Sequence, residues 1–397
     1  MTSTLLHLVN PDVDGAVLFE DLKGWFERFI AVVEPQDLDV LVLWAVHTHL
    51  AAELYTSPRL RLDSVMPGSG KTTVLDHLSR LCHRPVQAAA LSSYAVLPRL
   101  LADGPRTILI DEVDRVLQPG NGRTQDLLAI INSGYRVGAN TVVVAPNKTV
   151  RKMPTFGPLA MAGNAPNLPD DTRSREIRIL LMPDLNGTVE DSDWEAIAEE
   201  AKVLKDRVTA WSAVASGMVK GLPVDLPAGC IGRMKEKWRP LKRVAAVAGG
   251  GWPAICDELI VRDLAENTAE RDAGLNTSPN MVLLSDLHTI WPARSGLVPT
   301  LDLVASLNEH NDEHWGTRSG YGKPLTEHRF AKIVAQACKV TSQRPGGRGP
   351  RGYFRRQFEP VWERLQIGAE TGATGASGQP APNAPIAPDA PDAPGKH

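Results

Sequence analysis

The sequence predicts an α/β fold in which helices cover a parallel sheet and a phosphate-binding loop follows one strand. Three observations predict it. A glycine-rich turn, Pro67-Gly68-Ser69-Gly70-Lys71-Thr72-Thr73, lies between a strand-like run and an amphipathic helix. A second apolar run, Thr107 to Ile110, ends in the paired carboxylates Asp111 and Glu112. From residue 58 to about 182, strand and helix patterns alternate, which yields a parallel sheet with its ligand site at the carboxyl ends of the strands.

The turn carries the most chemistry. Arg59 to Val65 reads as a strand with Leu60, Leu62 and Val65 as its apolar members, and Val74, Leu75, Leu78 and Leu81 share one face of the helix that follows. Strand, glycine-rich turn, Gly-Lys-Thr and helix form the P-loop arrangement. Pro67 to Thr73 would cradle nucleotide phosphates with converging backbone N–H groups, helped by the helix N-terminus. Lys71 would reach the β/γ-phosphates and Thr72 would place its hydroxyl on Mg²⁺, so ATP and Mg²⁺ are the expected cofactors. One position departs from the pattern: the first glycine of G-x-x-x-x-G-K-[ST] is replaced by Val65. In the second run Asp111 would hold Mg²⁺ and Glu112 would polarise the attacking water. The spacing of forty positions from Lys71 to Asp111 leaves room for one strand and one helix between the two motifs.

Composition sets bounds. The chain has 397 residues, 43% hydrophobic and 22% charged, as in ordinary globular proteins. A net charge of -3 confines any nucleic-acid surface to a local patch. Four scattered cysteines with no C-x-x-C pair argue against a zinc site or a disulfide framework and fit a reducing, cytoplasmic compartment. The acidic start, with Asp12 and Asp14, is unlike a signal peptide, and Leu38 to Leu54 is too short and too polar to span a bilayer.

Periodicity divides the chain as follows. Residues 1–57 read as an N-terminal helical segment, with Asp37 to Tyr55 apolar nearly all round; His47 and His49 face different sides of that helix and are structural. Residues 58–187 are the P-loop core, with strands at Leu60–Val65, Val86–Ala90, Thr107–Asp111, Val142–Ala145, Leu159–Gly163 and Ile177–Leu181. Residues 188–275 are mostly helical, 276–280 a linker, and 281–365 a smaller unit. The Gly/Ala/Pro-rich tail, 366–397, cannot bury a core and is expected to be disordered.

Four further groups of residues carry chemistry. Asn164 ends the strand Leu159–Gly163, where an amide can orient water against a γ-phosphate or simply cap a turn. Arg173 and Arg175 precede the last strand beside Asp170, Asp171 and Glu176, with which they can also pair. Thr141 to Met153 reads as a hairpin turning at Pro146-Asn147, with Lys148, Arg151 and Lys152 available either to phosphates or to solvent. Between Lys323 and Arg364, ten Lys and Arg face three Asp and Glu. Arg344, Arg348, Arg351, Arg355 and Arg356 fall within thirteen residues that hold no acid. Helix, short strand, glycine-arginine turn, strand is the winged-helix order, with Thr326 to Cys338 as recognition helix; a basic protein-contact face is the other reading.

The motifs also carry a resemblance. Leu43-Trp44-Ala45-Val46-His47-Thr48-His49, Pro58-Arg59-Leu60, the Gly-Lys-Thr loop, Ile110-Asp111-Glu112-Val113-Asp114 and Ile131-Asn132-Ser133-Gly134-Tyr135-Arg136-Val137-Gly138-Ala139 follow one another. Leu168-Pro169-Asp170, Trp238-Arg239-Pro240-Leu241, Ala248-Gly249-Gly250-Gly251-Trp252-Pro253, Gly322-Lys323-Pro324-Leu325-Thr326 and Arg351-Gly352-Tyr353 continue them, so about residues 38–365 are covered. This order resembles the AAA+ ATPases, and more specifically an uncharacterised P-loop family at the C-terminal end of phage and mobile-element primase–helicase proteins. The resemblance implies an AAA+-like P-loop NTPase sheet with N-terminal helices, a helical lid and a C-terminal winged-helix-like domain. It implies sensor 1 at Asn164, a trans-acting arginine finger at Arg175 or Arg173, a nucleotide contact from the lid at Arg239, and a DNA-gripping hairpin. This chain shows no primase part.

The function so expected is an ATP-hydrolysing motor or remodeller on DNA, helicase-like, oligomeric as a hexameric ring or spiral, with no membrane partner. A separate primase or replicative helicase would be its protein partner. A helicase loader or initiator that uses ATP as an assembly switch, and a DNA-binding regulator with an ATPase module, are the alternatives. The adjacent Asp-Glu, the paired arginines and the basic C-terminal unit disfavour a small-molecule P-loop kinase.

Overall fold

A computed structural model describes residues 14–88, 96–117, 122–144, 149–164, 168–272, 279–292, 296–319, 322–365 and 367–368. It divides into two compact units, residues 1–273 and 274–397. Apart from residues 367 and 368, the tail from 366 on lies outside the described residues, as does most of the linker 276–280. Among the described residues no helix is long and apolar enough to cross a membrane.

The first unit opens with α1 (Gly15–Phe29) and α2 (Asp37–Leu50). Asp14 caps α1 by accepting from the backbone N–H of Ala16 and Val17. Every residue of α2 but His49 is buried, as its apolar circumference predicts. His47 holds two neighbours: Nδ1 lies 2.6 Å from the Trp44 carbonyl and Nε2 lies 2.9 Å from Ser57 Oγ. His49 Nε2 donates to the Leu81 carbonyl, so both histidines are indeed structural.

Next come β1 (Arg59–Ser64), α3 (Lys71–Leu81), β2 (Val86–Ala88), α4 (Val96–Leu100), β3 (Ile108–Ile110), α5 (Val113–Val116) and α6 (Gly122–Ser133). The hairpin strands β4 (Asn140–Val144) and β5 (Val150–Pro154) follow, then β6 (Leu159–Asn164), α7 (Asp170–Arg173) and β7 (Glu176–Leu180). Five strands form the expected parallel sheet in the order β2-β3-β6-β1-β7. The strand expected at Val142–Ala145 belongs instead to the two-stranded antiparallel sheet that it makes with β5. This is an α/β P-loop fold of AAA+-like type: the P-loop strand β1 sits between β6 and β7, and all five strands run toward the loop.

β1 alternates Leu60 and Leu62 with Arg61 and Asp63, yet all six residues are buried. The polar face is neutralised across the β1–β7 pair. Arg61 Nε lies 2.9 Å from Glu176 Oε1, a charge pair without hydrogen-bond alignment, and Arg178 Nε lies 2.8 Å from Asp63 Oδ2. Burial raises the Glu176 carboxyl above its ordinary value, against the opposing pull of Arg61 and Lys237.

Three long helices close the unit: α8 (Trp194–Val219), α9 (Gly232–Ala248) and α10 (Trp252–Asp272). They share one hydrophobic core with α1, α2, α3 and the sheet, so they pack as part of the same body. Pro240 lies inside α9 and lacks the N–H that would bond the Glu236 carbonyl. Thr56 Oγ1 supplies that donor at 2.7 Å and ties the middle of α9 to the segment entering β1.

The second unit contains α11 (Pro279–Ile290), β8 (Val298–Pro299), α12 (Thr300–His310), α13 (Glu327–Cys338), β9 (Gly352–Tyr353) and α14 (Glu359–Leu365). Its own core gathers Leu283, Leu287, Trp291, Trp315, Phe330, Tyr353, Phe358 and Trp362. β8 pairs antiparallel with β9, and Gln343 bridges to Gly352 on the other side of the turn 344–351.

Candidate nucleotide site

The loop after β1 is built to approach an anion. Gly68 and Gly70 take positive φ of 77° and 81°, and a Cβ at either would meet nothing within 4 Å. Val65 is not among the left-handed residues, and its side chain is 67% exposed. The backbone therefore does not require a glycine at that position. Gly70 caps α3, so the first turn of that helix, Lys71 to Thr73, faces the loop.

The strand register delivers the partners. Ser64 at the end of β1 is paired with Asn164 at the end of β6. Lys71 Nζ donates to Asn164 Oδ1 at 2.8 Å, to Ser69 Oγ at 3.1 Å and to Ser64 Oγ. Burial lowers the Lys71 pKa from its ordinary value, while Asp111, Asp114 and Asp63 act the other way. Thr72 Oγ1 donates to Asp111 Oδ2 at 2.8 Å, which joins the two residues expected to share a metal. Among the described residues no group of three or more His, Cys, Asp or Glu could hold a metal. A hydroxyl plus one carboxylate, beside open loop amides, fits a cation that takes its remaining oxygens from phosphates and water.

Glu112 follows at φ 51° and ψ 40°, a left-handed conformation unusual for a residue with a side chain. Its carboxylate receives Arg115 Nη1 at 2.8 Å. Two working residues carried no assigned role in the sequence. Ser64 links Lys71 to Asn164 through one hydroxyl. Asp114 Oδ1 accepts from the Asn164 backbone N–H at 3.2 Å and would lie only 2.8 Å from a Cβ at Gly163, so a larger residue there would displace the Asp114 carboxylate. Asp114 is visible in the Asp-Glu-Val-Asp string, but a carboxylate three residues past Asp111 signals nothing about a neighbouring strand tip.

Other expected residues lie elsewhere. Arg173 and Arg175 precede β7, at the sheet end remote from the loop. Arg173 pairs with Asp170; Arg175 is buried, reaches Asp171 at 2.5 Å and lies 4.8 Å above the Tyr135 ring. Arg239, expected at nucleotide, needs correcting. It lines a pocket with Tyr55 and Thr56, which precede β1, whereas the P-loop follows β1. Six residues of strand, roughly 20 Å, separate the two ends, more than an arginine spans. Arg151 and Lys152 are exposed on the hairpin; Lys148 and the turn lie outside the described residues. Arg344, Arg348, Arg351 and Arg356 are exposed, while Arg355 is partly covered, 5.3 Å above the Trp362 ring.

A family model described as "Protein of unknown function (DUF3631)" matches residues 186–365. An uncharacterized 28.9 kDa protein in the xis 5' region of Saccharopolyspora erythraea is 30% identical over 164 residues, which is 41% of this chain. The chain spans 59% of that relative's length. Among solved structures, a full-length MCM homolog from Methanopyrus kandleri aligns at TM-score 0.41 and 13% identity, over 64% of this chain and 61% of that one. The NrS-1 C-terminal region aligns at 0.38 and 13%, over 85% and 74%, and Thermotoga maritima RuvB at 0.26 and 15%, over 85% and 95%. The chain's own strand order and loop define its fold.

Proposed function

We propose that the chain is a Mg²⁺-dependent ATPase that acts on DNA as an oligomeric motor or remodeller. The observation that carries this is the convergence of Lys71, Thr72, Asp111 and Asn164 by direct hydrogen bonds at the carboxyl end of the sheet. Bound Mg·ATP would supply the phosphoanhydride and neutralise charge on the leaving phosphates. Pro67 to Thr73 hold the phosphate chain, with Lys71 moving from Asn164 onto the β/γ-oxygens. Thr72 and Asp111 would hold the metal, Glu112 would take the proton of the attacking water, and Asn164 would orient that water.

The DNA side of the proposal rests on two surfaces. The exposed Arg151 and Lys152 of the hairpin would grip backbone phosphates. The order α11, β8, α12, α13, the Gln343–Gly352 bridge and β9 supports a winged-helix-like reading of the second unit. Its turn 344–351 carries Arg344, Arg348 and Arg351 into solvent. The position of Arg173 and Arg175 at the end of the sheet away from the P-loop supports an oligomeric reading, in which one of them would serve the active site of a neighbouring subunit. The test is steady-state hydrolysis of Mg·ATP by the full chain, with and without DNA. Hydrolysis that DNA stimulates is expected. Tight nucleotide binding with no turnover on any DNA would sink the motor and leave a switch.

A further inference from the structure

Arg239, removed from the P-loop by the fold, lies in a second built site. α9 presents Lys235, Arg239 and Arg243 at successive four-residue intervals, so three cations share one face of the helix. They line a pocket of about 120 Å³ together with Leu54, Tyr55, Thr56, Glu236 and Pro240. Like charges at this spacing destabilise a helix unless something neutralises them. Among the described residues nothing does so. Glu236 is already engaged by Arg136, Arg233 and the Tyr135 hydroxyl. Arg243 donates through Nε to the Leu222 carbonyl, and its pKa is lowered by burial and then by the charge of Arg239. Neither Lys235 nor Arg239 has a carboxylate partner or a side-chain hydrogen bond among the described residues. Tyr55 is 60% exposed, and the Arg136 guanidinium lies 5.7 Å from its ring centroid, so a base would stack on the face that Arg136 leaves open. The geometry is held firmly, because the Thr56 hydroxyl takes the carbonyl that Pro240 leaves free.

We propose that this pocket binds single-stranded nucleic acid, with a backbone phosphate between Arg239 and Arg243 and a base stacked on Tyr55. Guanidinium forks match phosphate oxygens, and an exposed aromatic ring beside a cationic groove is the recurrent platform for unpaired bases. The apolar floor of Leu54 and Pro240 suits a base edge better than a bare ion. This inference rests on the reading of the chain as a protein acting on DNA, and it adds a binding surface outside both the hairpin and the C-terminal unit.

The experiment uses the full chain, a fluorescein-labelled twenty-nucleotide oligo-dT, inorganic phosphate as competitor, and an oligo carrying 5-iodouracil for photocrosslinking. Arg239→Ala should weaken oligo binding several-fold and flatten the salt slope by about 0.7 for each phosphate no longer neutralised. Tyr55→Ala should weaken it on the order of tenfold and abolish the crosslink to that residue, while Tyr55→Phe retains both. Neither side chain holds a structural hydrogen bond among the described residues, and circular dichroism of each variant confirms folding. If wild type binds oligo-dT and both alanine variants bind it equally well, the pocket is not a strand site, and the DNA reading stands. If wild type fails to bind the oligo at low salt, the pocket proposal falls, while the DNA reading is then decided by duplex binding and by hydrolysis with and without duplex DNA. Competition by millimolar phosphate with no crosslink to Tyr55 would make the pocket a small-anion site and overturn the proposal. So would a loss of ATP affinity, with oligo binding intact, in Arg239→Ala.

Discussion

Lys71 Nζ and Asn164 Oδ1 lie 2.8 Å apart, so the ammonium that would meet the phosphates rests on the amide that would orient the water. The pair separates two functions that mutation can tell apart. Asn164→Ala should bind ATP nearly as well as wild type and lose turnover by about 10²–10³, the usual loss on removing one preorganised polar group. Lys71→Ala should lose tight binding as well. Equilibrium binding of a non-hydrolysed ATP analogue, set beside kcat, checks both; a large affinity loss in Asn164→Ala would mean that the amide anchors nucleotide instead.

Glu112 combines a catalytic assignment with a left-handed backbone at φ 51°. A side chain in that region costs about 1–2 kcal/mol, which glycine avoids. Glu112→Gly should therefore raise thermal stability while abolishing turnover, and Glu112→Gln should keep the strain and lose turnover alone. Calorimetry and hydrolysis on both variants separate the outcomes. A Glu112→Gln chain that turns over at the wild-type rate would remove the residue from the reaction.

Much of this site was legible in the sequence because its parts are local. Pro67 to Thr73 and Ile110-Asp111-Glu112 each combine backbone geometry and chemistry in one short string. What sequence could not supply was the register between strands. Ser64 meets Asn164 only because β1 pairs with β6, and Asp114 reaches the Asn164 amide only because α5 packs on β6. Arg239 was misplaced for a related reason. A distinctive string marks a helix, but which end of the sheet that helix serves is set by Thr56 and Glu236, 180 residues apart.

Arg173 and Arg175 stand at the end of the sheet away from the P-loop, and this makes assembly testable. A double Arg173→Ala/Arg175→Ala chain should be inactive alone, with losses on the order of 10³–10⁵ if one is the finger. Mixed with Lys71→Ala, it should regain activity, since a mixed interface joins one intact loop to one intact arginine. Co-assembly without recovery at any ratio would return both arginines to their ion pairs with Asp170 and Asp171.

His77 gives the stability a pH dependence. It is buried on α3, where Nδ1 accepts from Trp25 Nε1 at 2.9 Å and Nε2–H therefore donates to Ser192 Oγ at 2.9 Å. Burial, and then the charge of Arg80, pull its pKa down to about 4. The unfolded chain, with an ordinary histidine, binds more protons between there and about 6.5, so stability rises with pH across that window and falls on acidification. The contribution is on the order of 3 kcal/mol. Urea melts at pH 4.5 and 7 should show a smaller difference in His77→Gln than in wild type; an unchanged difference would assign the acid sensitivity to His47 and His49, which are also held near 4.

The hairpin and the C-terminal turn predict different failures. Arg344, Arg348 and Arg351 are exposed on one turn of the second unit. Replacing all three with alanine should flatten the salt slope of duplex binding by up to about 2.7, at about 0.9 per neutralised phosphate on B-DNA, and weaken binding roughly uniformly across sequences. Arg151 and Lys152 oppose Val143 and Val142 across the β4–β5 ladder, and β5 leads directly into β6, the strand that ends in Asn164. Arg151→Ala/Lys152→Ala should therefore leave most duplex affinity in place and lose the stimulation of hydrolysis by DNA, because a force on the hairpin is transmitted along β6 to the water-orienting amide. The two variants are compared by binding across a salt series and by ATPase with and without DNA. If the triple variant binds duplex with an unchanged slope, the basic turn contacts protein. If the hairpin variant keeps full stimulation, DNA is coupled to hydrolysis by some other element than β5.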